Sequence, residues 1–279
     1  MNGGGRILVL GGHEFNRRSG NDAIVELITE LADSSRPRIC LLPTASGDPE
    51  DQIGSFRRSF SERDCHPSSI SLFRLGVDRV DVREHLLSQD VIYAGGGSMV
   101  NLIAIWRAHG LDSILSECWE EGILICGQSA GAMCWFEQAI TCSSGEPATA
   151  GGLGLLPGSA CVHYLSVPQR RACFLRAIGS GRIPAGFGLE DQTGALFEGR
   201  RLAETIVARE RSAVWRVERV AHGMGVGDSG AAETPLDSRR VVDQRPAIDA
   251  RSSEILEFRE TLAARTASRG SRRGVGRLD

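Results

Sequence analysis

Residues 123–135, Ile-Leu-Ile-Cys-Gly-Gln-Ser-Ala-Gly-Ala-Met-Cys-Trp, set an apolar run directly ahead of a Gly-x-Ser-x-Gly turn and follow it with small, helix-compatible residues. That order takes a buried strand into a helix through one sharp corner, with Ser129 at its apex. Glycines at 127 and 131 suit a place where strand and helix backbones approach too closely for a side chain. The corner lifts the Ser129 hydroxyl to the C-terminal edge of the strand and aims the Ala130 amide where an oxyanion would form. A glycine-rich turn with an incidental serine fits the bare pattern too. The apolar strand before it and Ala-Gly-Ala after it favour a nucleophile.

Further apolar runs predict strands at 6–10, 38–42, 69–73, 90–94 and 123–126, separated by amphipathic stretches near 20–33, 50–63, 80–87, 98–108 and 111–121. Strands spaced by single helices imply right-handed crossovers and an α/β fold: a mostly parallel twisted sheet with helices on both faces. Ligands of such sheets lie beyond the carboxyl ends of the strands. Here those ends carry Gly11-Gly12-His13, Pro43-Thr44-Ala45-Ser46, Gly95-Gly96-Gly97-Ser98 and the Ser129 corner. From about residue 223 the character changes: ten arginines, nine acidic residues and one aromatic are spread among Ser, Gly and Ala. Residues 1–222 therefore read as the catalytic domain and 223–279 as a low-order tail with a short helix at 253–266.

The 279 residues include 32 basic ones, all arginine. Without lysine there is no Walker-type phosphate loop, no Schiff-base lysine and no Ser-Lys pair. A net charge of −3 argues against a general nucleic-acid binder. No apolar run approaches the roughly 18 residues of a membrane span, and the N-terminus lacks the features of a signal peptide. The eight cysteines form no Cys-x-x-Cys pair. They predict free thiols, a cytoplasmic location, and neither a metal site nor another cofactor.

A serine needs a base, and there are six histidines. His163 sits in the β-type run Ala-Cys-Val-His-Tyr-Leu; His222 lies late enough to pair with Asp191 in the Ser…Asp…His order of an α/β-hydrolase. His13 is placed to line the pocket, while His66, His85 and His109 fall in polar or helical surroundings. The Gly95-Gly96-Gly97 turn separates a strand from a helix, and its amides suit an anion or an oxyanion. It lacks the Gly-x-Gly-x-x-Gly of a dinucleotide site.

Four segments, Tyr-Ala-Gly-Gly-Gly-Ser-Met-Val-Asn-Leu (93–102), Cys-Gly-Gln-Ser-Ala-Gly-Ala (126–132), Val-His-Tyr (162–164) and Gly-Leu-Glu-Asp-Gln-Thr-Gly-Ala-Leu (188–196), occur in that order. Together they resemble the peptidase E family of serine peptidases, which includes the cyanophycinases, over roughly residues 5–220. The resemblance implies a fold like that of class I glutamine amidotransferases, with serine in place of the usual cysteine nucleophile. It implies Ser129 as nucleophile, His163 as base, and backbone amides at Gly96 or Gly97 and Ala130 as the oxyanion hole. The family acid is expected 13–18 positions after the serine, where Glu146 is the only carboxylate and Cys142 stands at a position that relatives fill with aspartate. Glu146 is the expected orienting acid, set against a Ser-His dyad with no acid, and Glu190 or Asp191, in a loop that also follows a strand, is its substitute. Ser98 also departs from the asparagine usual after the glycine triplet. The implied substrates are small peptides with an N-terminal aspartate, or related acidic isopeptides. Arg170 and Arg171, at the start of a helix predicted over 168–178, are the expected partners of a substrate carboxylate. A homodimer is compatible with this reading. Two other classes compete: an esterase using Ser129, Asp191 and His222, and a non-catalytic amidotransferase-like binding protein.

Overall fold

The computed structural model describes residues 5–13, 15, 22–220 and 230–241. The first half alternates strand and helix: β1 (Arg6–Leu10), α1 (Asp22–Leu31), β2 (Arg38–Leu42), α2 (Glu50–Ser61), β3 (His66–Ser69), α3 (Leu75–Asp78), α4 (Val82–Leu87), β4 (Val91–Ala94), α5 (Met99–Ala108), α6 (Leu111–Glu120) and β5 (Leu124–Gln128). The second half is richer in strands: α7 (Ala130–Met133), β6 (Phe136–Thr141), β7 (Ala148–Gly151), β8 (Leu156–Val162), α8 (Pro168–Gly179), β9 (Gly186–Leu189), β10 (Thr193–Glu198), β11 (Arg201–Val207), β12 (Val214–Arg219), β13 (Ala231–Pro235) and β14 (Arg239–Arg240).

The main sheet runs β14-β11-β10-β1-β5-β4-β2-β3. Strands β1, β5, β4, β2 and β3 are mutually parallel, and β10 is antiparallel to both its neighbours. The parallel strands β1, β5, β4 and β2 are apolar at nearly every position because both faces are covered. Leu8, Leu41, Tyr93 and Cys126 pack with Ile24, Ile28, Phe56 and Phe60 of α1 and α2. Their neighbours Val9, Leu42, Ile92 and Ile125 share a core with Leu102, Trp106 and Leu115 of α5 and α6. The period-two alternation of strand side chains thus divides one apolar run between two cores.

A second sheet, β13-β12-β9-β8-β6-β7, was not foreseen. Its segments Ala-Thr-Ala-Gly and Gly-Phe-Gly-Leu are small and glycine-rich, so they carry little β-propensity. Trp135, Phe136, Ala160 and Phe187 join it to the main-sheet core, and Phe174, Ala177 and Ile178 of α8 cover its other side.

Two expectations need correction. Strand β3 is the polar His-Pro-Ser-Ser at 66–69, not 69–73. As an edge strand it tolerates Pro67, while Ile70, whose amide still donates to the Leu41 carbonyl, and Leu72 bury themselves in the α5 and α6 core. Strand structure also continues past 222, through β13 and β14 to Arg240. Strand β13 pairs with β12 and β14 with β11, so each satisfies what would otherwise be an open edge. The helix expected at 253–266 lies outside the described residues. All eight cysteines are free. Among the described residues no helix is long and apolar enough to cross a membrane.

Trp106 ties the glycine-turn helix to both flanks. Its fully buried indole packs on Trp135 with ring centroids 5.6 Å apart, and Nε1 donates to Thr44 Oγ1 at 3.2 Å. Trp106→Ala is expected to cost about 3–5 kcal/mol in urea denaturation, and a loss below about 1 kcal/mol would contradict this packing account.

Candidate active site

Ser129 stands between β5 and α7 at φ 51° and ψ −114°, a conformation that ordinary side-chain-bearing residues avoid. Close backbone approach on both sides holds it there. A Cβ on Gly127 would lie 1.9 Å from the Gly131 carbonyl oxygen, and one on Gly131 would lie 2.2 Å from that of Ala94. The Ser129 amide donates to the Leu10 carbonyl at 3.1 Å, while its own carbonyl accepts from the Ala132 and Met133 amides. The serine is pinned to the middle of the sheet's C-terminal edge, and its hydroxyl is left for other partners.

The adjacent parallel strands β8 and β9 deliver those partners. His163 follows β8 at φ 55°, and its Nε2 lies 3.0 Å from Ser129 Oγ. Its Nδ1 lies 2.5 Å from Oδ1 of Asp191, just past β9. The second carboxylate oxygen accepts from Ser166 Oγ at 2.7 Å. The His163 contact, with help from Ser166 and against partial burial, holds the Asp191 carboxyl below its usual range. Gly12 makes room for the pair, because a Cβ there would fall 2.4 Å from Asp191 Oδ1 and 2.6 Å from His163 Cε1.

Asp191, not Glu146, therefore meets the histidine. Glu146 sits in the exposed turn between β6 and β7, and spacing along the chain misplaced the acid because β9 returns beside β8. Glu190 is held by Trp215, whose Nε1 donates to its Oε1 at 2.8 Å. His222 lies outside the described residues. Neither Ser166 nor the steric role of Gly12 was foreseen; the glycine pair ending β1 was the available signal for the latter.

The glycine turn comes alongside the serine. Gly95 and Ser98 donate to the Leu42 and Ala45 carbonyls at 3.0 and 2.8 Å, with the Gly96 and Gly97 amides between these anchors. A Cβ on Gly96 would lie 3.3 Å from Ser129 Cβ. Gly97, at φ 144°, passes so near the Ala45 carbonyl that no other residue fits. Ala130 opens α7, so its amide has no intrahelical acceptor. Ser98 caps α5 by accepting from the Asn101 amide.

The two arginines separate. Arg171 is bound to Glu233 of β13 through Nε, at 3.0 Å from Oε2, and through Nη2 to Oε1. Its charge is matched within the fold, which leaves less of it for the substrate carboxylate it was expected to meet. Arg170 donates from Nε to the Cys142 thiol at 3.1 Å, and its buried Nη1 has no hydrogen-bond partner among the described residues. Among the described residues no group of His, Cys, Asp and Glu is arranged to hold a metal ion.

An α/β sheet whose edge carries serine, histidine and aspartate in hydrogen-bonded series has the architecture of a serine hydrolase. Residues 7–205 match the model of Peptidase family S51. The chain belongs to that family of serine peptidases. It is 36% identical over 231 residues to the uncharacterized peptidase YgaJ of Bacillus subtilis (strain 168), covering 83% of this chain and 96% of that one. Identity to the cyanophycinase of Synechococcus elongatus is 26% over 207 residues, which cover 70% of this chain but only 63% of the cyanophycinase. The crystal structure of a peptidase from an acI-B1 actinobacterium superposes with a TM-score of 0.57 at 16% identity, covering 86% of this chain and 97% of that one.

His13 is the buried histidine of this edge. Its Nε2 lies 3.2 Å from Tyr93 Oη, its Nδ1 has no hydrogen-bond partner among the described residues, and burial lowers its pKa to about 4. The folded protein thus keeps it neutral where the unfolded chain, at the ordinary histidine value of 6.5, takes up a proton. Stability should be full above pH 6.5 and fall as pH drops from there toward about 4, by up to about 1.4 kcal/mol per pH unit from this group. In pH-dependent urea denaturation His13→Phe should flatten that slope; an unchanged slope would show that His13 is not its source.

Proposed function

We propose that this peptidase hydrolyses short peptides with an N-terminal aspartate, or related acidic isopeptides, through an acyl-enzyme on Ser129. The continuous line Ser129–His163–Asp191 beside Gly96 carries this reading. His163 takes the Ser129 proton as Oγ attacks the amide carbonyl, and Asp191 stabilises the imidazolium and fixes its tautomer. The Ala130 amide and the Gly96–Gly97 turn receive the oxyanion. Protonated His163 then protonates the departing amine, and water releases the acyl group by the same steps in reverse. In this reading the strand-to-helix corner at Ser129 is a nucleophile elbow.

Arg170 is the group assigned to the substrate carboxylate. It faces a thiol instead of an acid at position 142, so its charge is not matched there and its buried Nη1 retains a free donor. The esterase alternative needs Asp191 for His222, yet Asp191 already accepts from His163. A non-catalytic binding protein would have no use for so complete a hydrogen-bonded series.

A fluorophosphonate probe should label Ser129, and Ser129→Ala should lose both labelling and dipeptide hydrolysis while staying folded. Asp191→Asn is expected to lower kcat by about 10⁴-fold, whereas Glu146→Gln leaves it near the parent value. Equal losses in the two carboxylate variants would refute the assignment of the acid. Arg170→Ala should raise KM for Asp-X dipeptides at least about tenfold and spare neutral ones, and an unchanged KM would remove the arginine from the substrate site.

A further inference from the structure

We propose that the strand pair β12–β13, which lies beyond the segment matched by the family model, is a positioning clamp for His163 and Asp191, with Glu233 and Trp215 as its working residues. The inference rests on Ser129 being the nucleophile and His163 its base. Both of the clamped residues follow strand ends in irregular backbone: His163 has φ 55°, and Gln192, just after Asp191, has φ 64°. Such turns do not hold a side chain to a fraction of an ångström by themselves. Their immediate neighbours supply the restraint.

Tyr164, next to the base, is fully buried, and its amide donates to the Leu189 carbonyl at 3.1 Å. Its ring lies so close over Gly188 that a Cβ there would come within 2.7 Å. Its hydroxyl donates to Glu233 Oε2 at 2.7 Å. Arg171 grips both oxygens of the same carboxylate and draws the Glu233 carboxyl below its usual range, so the tyrosine hydroxyl meets an ionised acceptor. Glu190, next to the acid, accepts from Trp215 Nε1 at 2.8 Å. Trp215 lies on β12 and Glu233 on β13, and the Trp215 ring sits 6.4 Å from that of Tyr164. One hairpin thus ties down the residue after the base and the residue before the acid. The 3.0 Å and 2.5 Å contacts of His163 depend on both holds.

A strand pair that merely covers the edge of β9 would also contribute stability, so the test reads chemistry in folded protein. Full-length Tyr164→Phe, Glu233→Gln and Trp215→Phe are compared with the parent in fluorophosphonate labelling, with the maximal rate and the half-saturating probe concentration measured separately. The clamp predicts a maximal rate lower by about tenfold or more with half-saturation unchanged. In an Asp191→Asn background it predicts no further loss, because the clamp acts through that pair. Glu204→Gln, which breaks the comparable ion pair with Arg239 between β11 and β14, should label at the parent rate. Maximal rates within about twofold of the parent for all three variants, or an equal loss in the Asp191→Asn background, would overturn the proposal. A parent chain not labelled at Ser129 would instead overturn the reading of the site on which it rests.

Discussion

Everything at the candidate site depends on one backbone crossing: β5 and α7 meet so closely at Gly127 and Gly131 that Ser129 is forced into a conformation it would not choose. Strain of that kind persists only where surrounding structure over-determines it. Here the determinants are the Ser129 amide bonded to Leu10, the Ala94 carbonyl packed against Gly131, and two cores pressing the sheet from opposite faces. The corner in turn fixes where the base must come from. A serine at the middle of the main sheet's edge can be reached only by elements that cross that edge, and the second sheet supplies them through β8 and β9.

This division of labour explains what could be read from the chain. The parallel half was legible because two-sided burial leaves long apolar runs such as Arg-Ile-Leu-Val-Leu and Asp-Val-Ile-Tyr-Ala, whose ends announce the ligand edge. The serine was legible because its corner demands glycine at two fixed offsets. The second sheet was nearly silent. Gly186–Leu189 packs against the Tyr164 ring because it lacks side chains there, so the residues that make it work as a strand also hide it from propensity. As partner of His163, Asp191 was weighed only as a substitute: its place is set by the pairing of β8 with β9, a contact between distant segments, and the resemblance pointed to Glu146 instead.

The boundary drawn near 222 failed on similar grounds. Ala-Ala-Glu-Thr-Pro has neither an apolar run nor strong β-propensity, yet as β13 it pairs along all of Trp215 to Arg219. Composition registers what a segment could bury; it does not register that an open edge beside it needs hydrogen bonds. Glu233 looks like one more solvated carboxylate in a mixed-charge region. Its role as a counter-ion follows only once β13 is laid beside β12, opposite Val217, with α8 packed above.

The arginine pair brings these strands of argument to one helix. Arg170 and Arg171 are consecutive, so about 100° of helical turn separates their directions, and nothing local says which of them faces the cleft. The distinction comes from what each meets. Arg171 finds a carboxylate on β13 and becomes structural, whereas Arg170 finds the Cys142 thiol and keeps an unmet donor. Had position 142 carried an acid, Arg170 would be matched as well, and this part of the edge would hold no spare positive charge. In the proposed reading, preference for an acidic substrate instead depends on two positions that never touch the reacting atoms: a carboxylate supplied at 233 and a carboxylate withheld at 142.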